Sequence, residues 1–135
     1  MRSLLVLSAV GLIACASEPT SIEFAEFAAP PSFDTLWTQV EQCSGLIRSP
    51  VTRYGIAYTR TVDGFFVGEV WAGGAYVLND DRILLAPFAV MAWIPDSSRN
   101  EVIRHEMLHA HLMPLGVMGH PNEYFAAKCG ALVGH

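Results

Sequence analysis

The sequence predicts a single α+β domain in which one helix precedes a small, mainly antiparallel sheet and two further helices follow it. Three observations predict this class. Apolar residues recur at spacings of three and four after residue 32, β-forming runs alternate with turn residues between 53 and 86, and two helical segments follow residue 96. About 120 residues would remain after loss of a signal peptide, which suits one hydrophobic core.

Residues 1–14 have the features of an export signal. One cation, Arg2, precedes an apolar run that ends at Ala14, and this run is too short for a membrane-spanning helix, which needs ~20 apolar residues. The segment Leu-Ile-Ala-Cys that ends at Cys15 resembles the lipobox of bacterial lipoproteins. The resemblance implies cleavage before Cys15 and lipid attachment to its sulfur, whereas an ordinary secretory signal is the alternative.

We therefore expect an exported protein of the bacterial cell envelope that is lipid-anchored to a membrane. In a cell with two membranes it would lie on the outer membrane or the periplasmic face. The net charge of −5 and the lack of a basic cluster make nucleic acid an unsuitable partner.

Three cysteines in an exported chain leave one odd thiol unless one cysteine has another use. Lipidation of Cys15 would leave Cys43 and Cys129, and we expect these two to form a disulfide in an oxidising compartment. The alternative is two buried free thiols.

The elements follow in order along the chain. Residues 15–32 are predicted to be a lipidated tether, although Phe24 and Phe27 could dock on the domain that covers residues 33–135. The first helix is expected from Ser32 to the region of residues 43–45, because its apolar side chains recur at helical spacing.

The middle of the chain is predicted to form three or four strands. Asp63-Gly64 would turn a hairpin between two β-forming runs, residues 75–78 would form a third strand, and a turn at 79–81 would lead into a strand at 82–86. An apolar loop or short helix is expected at 88–94.

Two helices are predicted after the sheet. The first begins at one of the capping residues 96–98 and ends near Met113, where Pro114 and Gly116 stop it. The second begins at Pro121 and ends near Gly130.

The five residues HEMLH, from His105 to His109, carry the strongest chemical signal. Residues four apart on a helix lie on one face, so both histidines can direct an imidazole to one metal ion. The carboxylate of Glu106 projects beside the same position, where it can accept a proton from water instead of binding the metal. A chain of this composition would contain such a pattern by chance about one time in a hundred.

A catalytic zinc site needs a third protein ligand and one open position. His120 follows the motif after a glycine-containing loop, and Glu123 is the alternative third ligand. We favour His120 because a ring nitrogen is a good zinc donor and Gly119 allows a close approach of the loop.

HEMLH on a helix that follows a small sheet resembles the zincin metallopeptidases. Residues 37–45, Gly-His-Pro at 119–121, Phe125 and Cys129 are similar to small exported bacterial proteins of zincin type. The resemblance implies a zincin-like fold, a Zn²⁺ cofactor, His105 and His109 as helical ligands, and Glu106 as general base. The interval to His120 is longer than in metzincins, which leaves the subclass open.

The same resemblance implies that a peptide substrate lies extended along an edge strand, for which the strand 82–86 is the candidate, with a buried strand as the alternative. Tyr124 is a candidate oxyanion stabiliser, although packing is the more common role of such a tyrosine. Glu101 could orient His105 or be an exposed helix-start carboxylate. His111 is expected to be structural and positively charged near a helix end. The three tryptophans, including Trp71, are expected in the core.

The sequence thus predicts a zinc-dependent metallopeptidase that hydrolyses peptide bonds by a zinc-activated water with a glutamate general base. Its partners would be a peptide or protein substrate and, through the N-terminal lipid, a membrane. One alternative is a non-catalytic zinc-binding envelope lipoprotein that acts as a binding or assembly module. Another is a structural lipoprotein in which the motif is accidental.

Lipidation of Cys15 is tested by Cys15→Ser in a host that lipidates exported proteins. We expect the variant to keep its signal peptide and to run as a larger, unlipidated form on a gel, because cleavage requires the modified cysteine. An unchanged mature form would contradict lipidation.

Overall fold

The computed structural model describes residues 24–48, 57–61, 65–86 and 96–134. The predictions for the signal peptide, for Cys15, for the Asp63-Gly64 turn and for the segment 88–94 lie outside these residues, as does that for Trp93. The described part is an α+β fold with a small, mainly antiparallel sheet and a few helices, as the sequence predicts.

A four-stranded sheet and a separate two-stranded hairpin make up the β structure. The sheet has the order β1-β2-β6-β5, and the hairpin pairs β3 with β4. The strands are β1 (Phe24–Phe27), β2 (Ala57–Thr61), β3 (Phe65–Val67), β4 (Val70–Ala72), β5 (Gly74–Val77) and β6 (Arg82–Leu85). β2 and β6 are parallel, whereas β1 with β2 and β5 with β6 are antiparallel.

The helices are α1 (Ser32–Ser44), α2 (Asp96–Leu112) and the short α3 (Gly130–Val133). α1 ends at Gly45, whose φ of 74° allows the left-handed conformation that closes the helix. α2 passes into a 3₁₀ turn at Met113–Leu115, and Gly116, with φ 79°, ends it. The predicted bounds of these two helices are confirmed. No helix in the described ranges is long and apolar enough to cross a membrane.

α2 is the centre of the packing. It lies against β5 and β6 on one side and against α1 and α3 on the others. Its apolar side chains meet those of α1 and the sheet in one core, which contains the fully buried residues Trp37, Val40, Ile83, Leu85, Met107, Leu108, Leu112 and Phe125. Each such side chain contributes roughly 1.5–3 kcal/mol when it leaves water.

The strands decide two open alternatives and overturn one prediction. Phe24 and Phe27, which could dock on the domain, belong to β1, which pairs with β2, and Phe27 packs on the core. The run after Asp63-Gly64 pairs not with β2 but with β4, across the two-residue turn Gly68-Glu69, where Gly68 has φ 60°. For the strand at 82–86, the structure shows the buried alternative instead of the edge, because β6 lies between β2 and β5 and β5 is the edge strand beside α2.

Two further predictions need correction. The helix expected from Pro121 to Gly130 is a π-helical segment, Glu123–Lys128, followed by the separate α3. Trp71 is not in the core, since 55% of its surface is exposed, whereas Trp37 is 1% exposed.

The predicted disulfide between Cys43 and Cys129 is present, with a Cα–Cα distance of 5.2 Å. It joins the end of α1 to the residue between the π-helical segment and α3, and 86 positions separate the two cysteines. The chain-entropy model gives about 4–5 kcal/mol for closing a loop of this length.

Removal of this bridge should destabilise the fold. We expect Cys43→Ser/Cys129→Ser to lower the free energy of unfolding by about 2–5 kcal/mol, because the unfolded chain regains the entropy of an open loop. Urea denaturation followed by circular dichroism measures this, and the wild type unfolded in reductant is the control. An unchanged midpoint in the double variant would show that the bridge does not stabilise the domain.

Candidate metal centre

The last two turns of α2 bring His105, Glu106 and His109 to one end of a cavity. The two histidines lie one turn apart, with their ring centroids 5.1 Å apart. Both are half-buried, whereas Glu106 is 6% exposed. The helix therefore presents two imidazoles and one carboxylate to the same space, as the spacing predicts.

His120 completes the histidine cluster. The chain turns back after α2 with Gly116 and Gly119 in the left-handed region, at φ 79° and 70°. This reversal places Nε2 of His120 2.9 Å from Nε2 of His105 and 3.1 Å from Nε2 of His109. The prediction that His120 joins the two helical histidines is confirmed.

The three Nε2 atoms fit one metal ion better than they fit hydrogen bonds to each other. A neutral imidazole nitrogen either donates or accepts, so the two short contacts of His120 cannot both be satisfied by one proton on its Nε2. Zinc–nitrogen bonds of 2.0–2.1 Å at tetrahedral angles would place ligand nitrogens about 3.3 Å apart. The two distances from His120 lie within a few tenths of an ångström of this value, and one ring nitrogen from each histidine lies within 4.8 Å of the others. His105, His109 and His120 could therefore hold a metal ion.

The hydrogen-bond partner of His105 and the burial of His109 both suit metal binding. The Nδ1 atom of His105 lies 3.3 Å from the carbonyl oxygen of Val133, and since a carbonyl only accepts, this nitrogen carries the proton and leaves Nε2 as the donor to a metal. Burial, reinforced by the charges of His105 and His120, lowers the pKa of His109 to about 3. That imidazole is thus uncharged at neutral pH, as metal binding requires.

Phe125 supports the cluster from below. Its ring is fully buried, and its centroid lies 4.7–4.9 Å from the centroids of all three imidazoles. One rigid aromatic ring therefore packs against every member of the cluster.

Glu106 is held by the edge strand β5. A hydrogen bond from the main-chain N–H of Tyr76 reaches its carboxylate and opposes the effect of burial, which raises the pKa of Glu106 to about 8. A Cβ atom at Gly74 would lie 2.6 Å from Cγ of Glu106, closer than real contacts allow. Because Gly74 has no side chain, the side chain of Glu106 can lie directly against β5 at this position.

The histidines and Glu106 line a cavity of about 640 Å³. The described residues that also line it belong to β4 and β5, to the last residue of β3, to α2 and to the end of α3. The sequence did not indicate Gly74, Tyr76 or the hairpin as parts of the site, because they reach it only through the packing of β5 on α2.

Of the other three predicted residues, Glu123 and Tyr124 do not line the cavity, whereas Glu101 does. Glu123 is paired with Lys128 at 2.7 Å and is exposed, so it is not brought to the histidines. Tyr124 packs at the margin of the core with the Lys128 ammonium over its ring, and it does not line the cavity, so its packing role prevails over the oxyanion role. Glu101 is half-buried and lines the cavity.

His111 is structural, as expected, but its predicted charge is wrong. It is 2% exposed and stacks on Trp37 at 4.4 Å, and burial lowers its pKa. The neutral ring donates from Nδ1 to the carbonyl of Met107 at 2.7 Å.

Comparison of this chain with models of protein families, with curated proteins and with solved structures gives no match.

Metal binding is tested by elemental analysis of the purified protein and of His105→Ala, His109→Ala and His120→Ala. We expect stoichiometric metal in the wild type and its loss in each variant, because three donors converge on one point. Glu123→Ala is the matched control and should retain the metal. Retention by His120→Ala, or its loss in Glu123→Ala, would contradict this ligand set.

Proposed function

We propose that this protein is a zinc-dependent metallopeptidase of zincin type, in which His105, His109 and His120 bind zinc and Glu106 is the general base. The observation that carries the proposal is the convergence of three imidazole Nε2 atoms in a cavity that a buried carboxylate also lines. A site that only stored or sensed a metal would not need that carboxylate.

The donor set suits zinc. Three neutral nitrogen ligands with a fourth position open to a cavity are the arrangement of catalytic zinc sites. Bound zinc would lower the pKa of a coordinated water and polarise the carbonyl of the bond to be hydrolysed.

The chain itself supplies the proton transfers. Glu106 would accept the proton of the attacking water and deliver it to the leaving amine nitrogen. The N–H of Tyr76 holds the Glu106 carboxylate against β5, and the lack of a side chain at Gly74 leaves room for it there. The carboxylate is therefore already oriented before the substrate binds.

The edge strand β5 is suited to an extended peptide. Gly73 accepts a hydrogen bond from the N–H of Ala86, so alternation along the antiparallel ladder turns the peptide groups of Gly74 and Tyr76 away from β6 and toward the outer edge. An extended substrate could pair with the N–H and carbonyl of Gly74 and with the carbonyl of Tyr76, because the N–H of Tyr76 is bonded to Glu106. This assignment replaces the predicted edge strand at 82–86.

We also propose that the domain acts outside the cytoplasm, tethered by lipid on Cys15. The disulfide supports an oxidising compartment, because such bonds persist in exported proteins.

Hydrolysis should depend on Glu106 while metal binding does not. We expect Glu106→Gln to keep its zinc and to lose about 10²–10⁴-fold in kcat for a peptide substrate, because the amide cannot accept the proton. Gly74→Ala should keep zinc and lose kcat as well, since its Cβ displaces the glutamate side chain. A quenched fluorescent peptide library and elemental analysis measure the two properties.

Glu123→Gln is the control for the loss of one carboxylate outside the site, and its kcat should equal that of the wild type. Undiminished hydrolysis by Glu106→Gln would refute the proposed mechanism. A zinc-loaded wild type that cleaves no peptide would favour the non-catalytic zinc-binding module instead.

A further inference from the structure

The hairpin of β3 and β4 exposes a group of large apolar side chains. The exposed fractions are 55% for Phe66, 41% for Val67, 68% for Val70 and 55% for Trp71. Large apolar side chains that are exposed together often mark a place of contact with another molecule.

The two faces of the hairpin differ. Direct pairing of Val67 with Val70 and of Phe65 with Ala72 places these four residues on one face, since side chains alternate along each strand. Phe65, at 1% exposure, anchors this face to the domain, while Val67 and Val70 extend beyond it. Phe66 and Trp71 pair on the other face, with their rings edge to face at 4.8 Å.

The apolar surface is continuous with the metal centre. Val67, Val70 and Trp71 line the same cavity as the three histidines and Glu106. Gly73 alone separates β4 from β5, so the hairpin continues directly from the edge strand that holds Glu106. A group bound against Val67 and Val70 would thus lie in the same cavity as the histidine cluster.

We propose that the hairpin binds a bulky apolar side chain of the peptide substrate and so determines which peptides are hydrolysed. This inference rests on the proposed function, because it names the substrate class of the same site. The substrate class follows from Val67, Val70 and Trp71, because these aliphatic and aromatic side chains suit an apolar group. The carboxylate of Glu101 also lines the cavity, so an acidic side chain would meet like charge.

The test uses two blocked pentapeptides, one of five alanines and one with phenylalanine at the centre. Their binding to the zinc-loaded Glu106→Gln protein is measured by calorimetry, and their hydrolysis by the wild type is measured separately. We expect the phenylalanine peptide to be preferred at least about tenfold in both, because its side chain leaves water on the hairpin.

The variant Val67→Thr/Val70→Thr nearly preserves shape and removes apolar surface, so this preference should fall to about threefold or less. Leu115→Thr is the matched control, since Leu115 is 64% exposed and does not line the cavity, and it should leave the preference unchanged. Trp71 gives a second readout that needs no threonine variant. Its emission should shift to shorter wavelength when the phenylalanine peptide binds, and Trp71→Phe should abolish that shift.

Equal affinity for the two peptides, or a preference that survives Val67→Thr/Val70→Thr, would overturn the inference. So would an effect of the double variant on binding to phosphatidylglycerol–phosphatidylcholine vesicles without an effect on peptide preference, which would assign the hairpin to a membrane surface. If the phenylalanine peptide binds preferentially but the wild type hydrolyses neither peptide, the hairpin is a binding surface for apolar side chains and the proposed peptidase activity is refuted.

Discussion

The packing of α2 is the constraint on which the rest of the structure depends. This one helix contributes Met107, Leu108 and Leu112 to the core and presents His105, Glu106 and His109 at its border. Burial of the apolar side chains fixes the rotation of the helix about its axis. The same rotation fixes the direction of the two imidazoles and the carboxylate, so the core and the candidate metal centre are mechanically coupled.

Hydrogen bonds and the disulfide join α1 to the other two helices. Arg104 on α2 donates from Nε to the carbonyl of Leu132 at 2.7 Å and from Nη1 to Oε1 of Gln39 at 3.1 Å, which joins α2 to both α1 and α3. The disulfide adds a covalent link from α1 to Cys129, between Phe125 and Val133. These two residues support the imidazoles, one through its ring and one through its carbonyl.

A polar cluster anchors the edge strand β5. The hydroxyl of Tyr76 donates to Asp81 at 2.7 Å, and Arg48 bonds to the same oxygen at 3.0 Å. Burial and the Asp81 carboxylate raise the pKa of Tyr76, so its hydroxyl remains a donor at any physiological pH. The side chain of Tyr76 is therefore anchored while its main-chain N–H holds Glu106. One residue thus couples the turn before β6 to the proposed general base.

The sequence by itself determined the local features. The bounds of α1 and α2, the pairing of Cys43 with Cys129 and the histidine set with Glu106 could all be predicted, because helical spacing, stop residues and ligand chemistry act over a few positions or have few alternatives. The choice of His120 over Glu123 was also within reach, since Gly116 and Gly119 permit the chain reversal.

Only the tertiary structure decided which strands are neighbours. β3 pairs with β4 across Gly68-Glu69, whereas β2 pairs with β1 and β6, which are distant from it along the chain. That pairing makes β5 the edge strand, brings Gly74 and Tyr76 to Glu106, and leaves Trp71 exposed beside the cavity. Strand order joins residues far apart along the chain, and local patterns carry no information about such contacts.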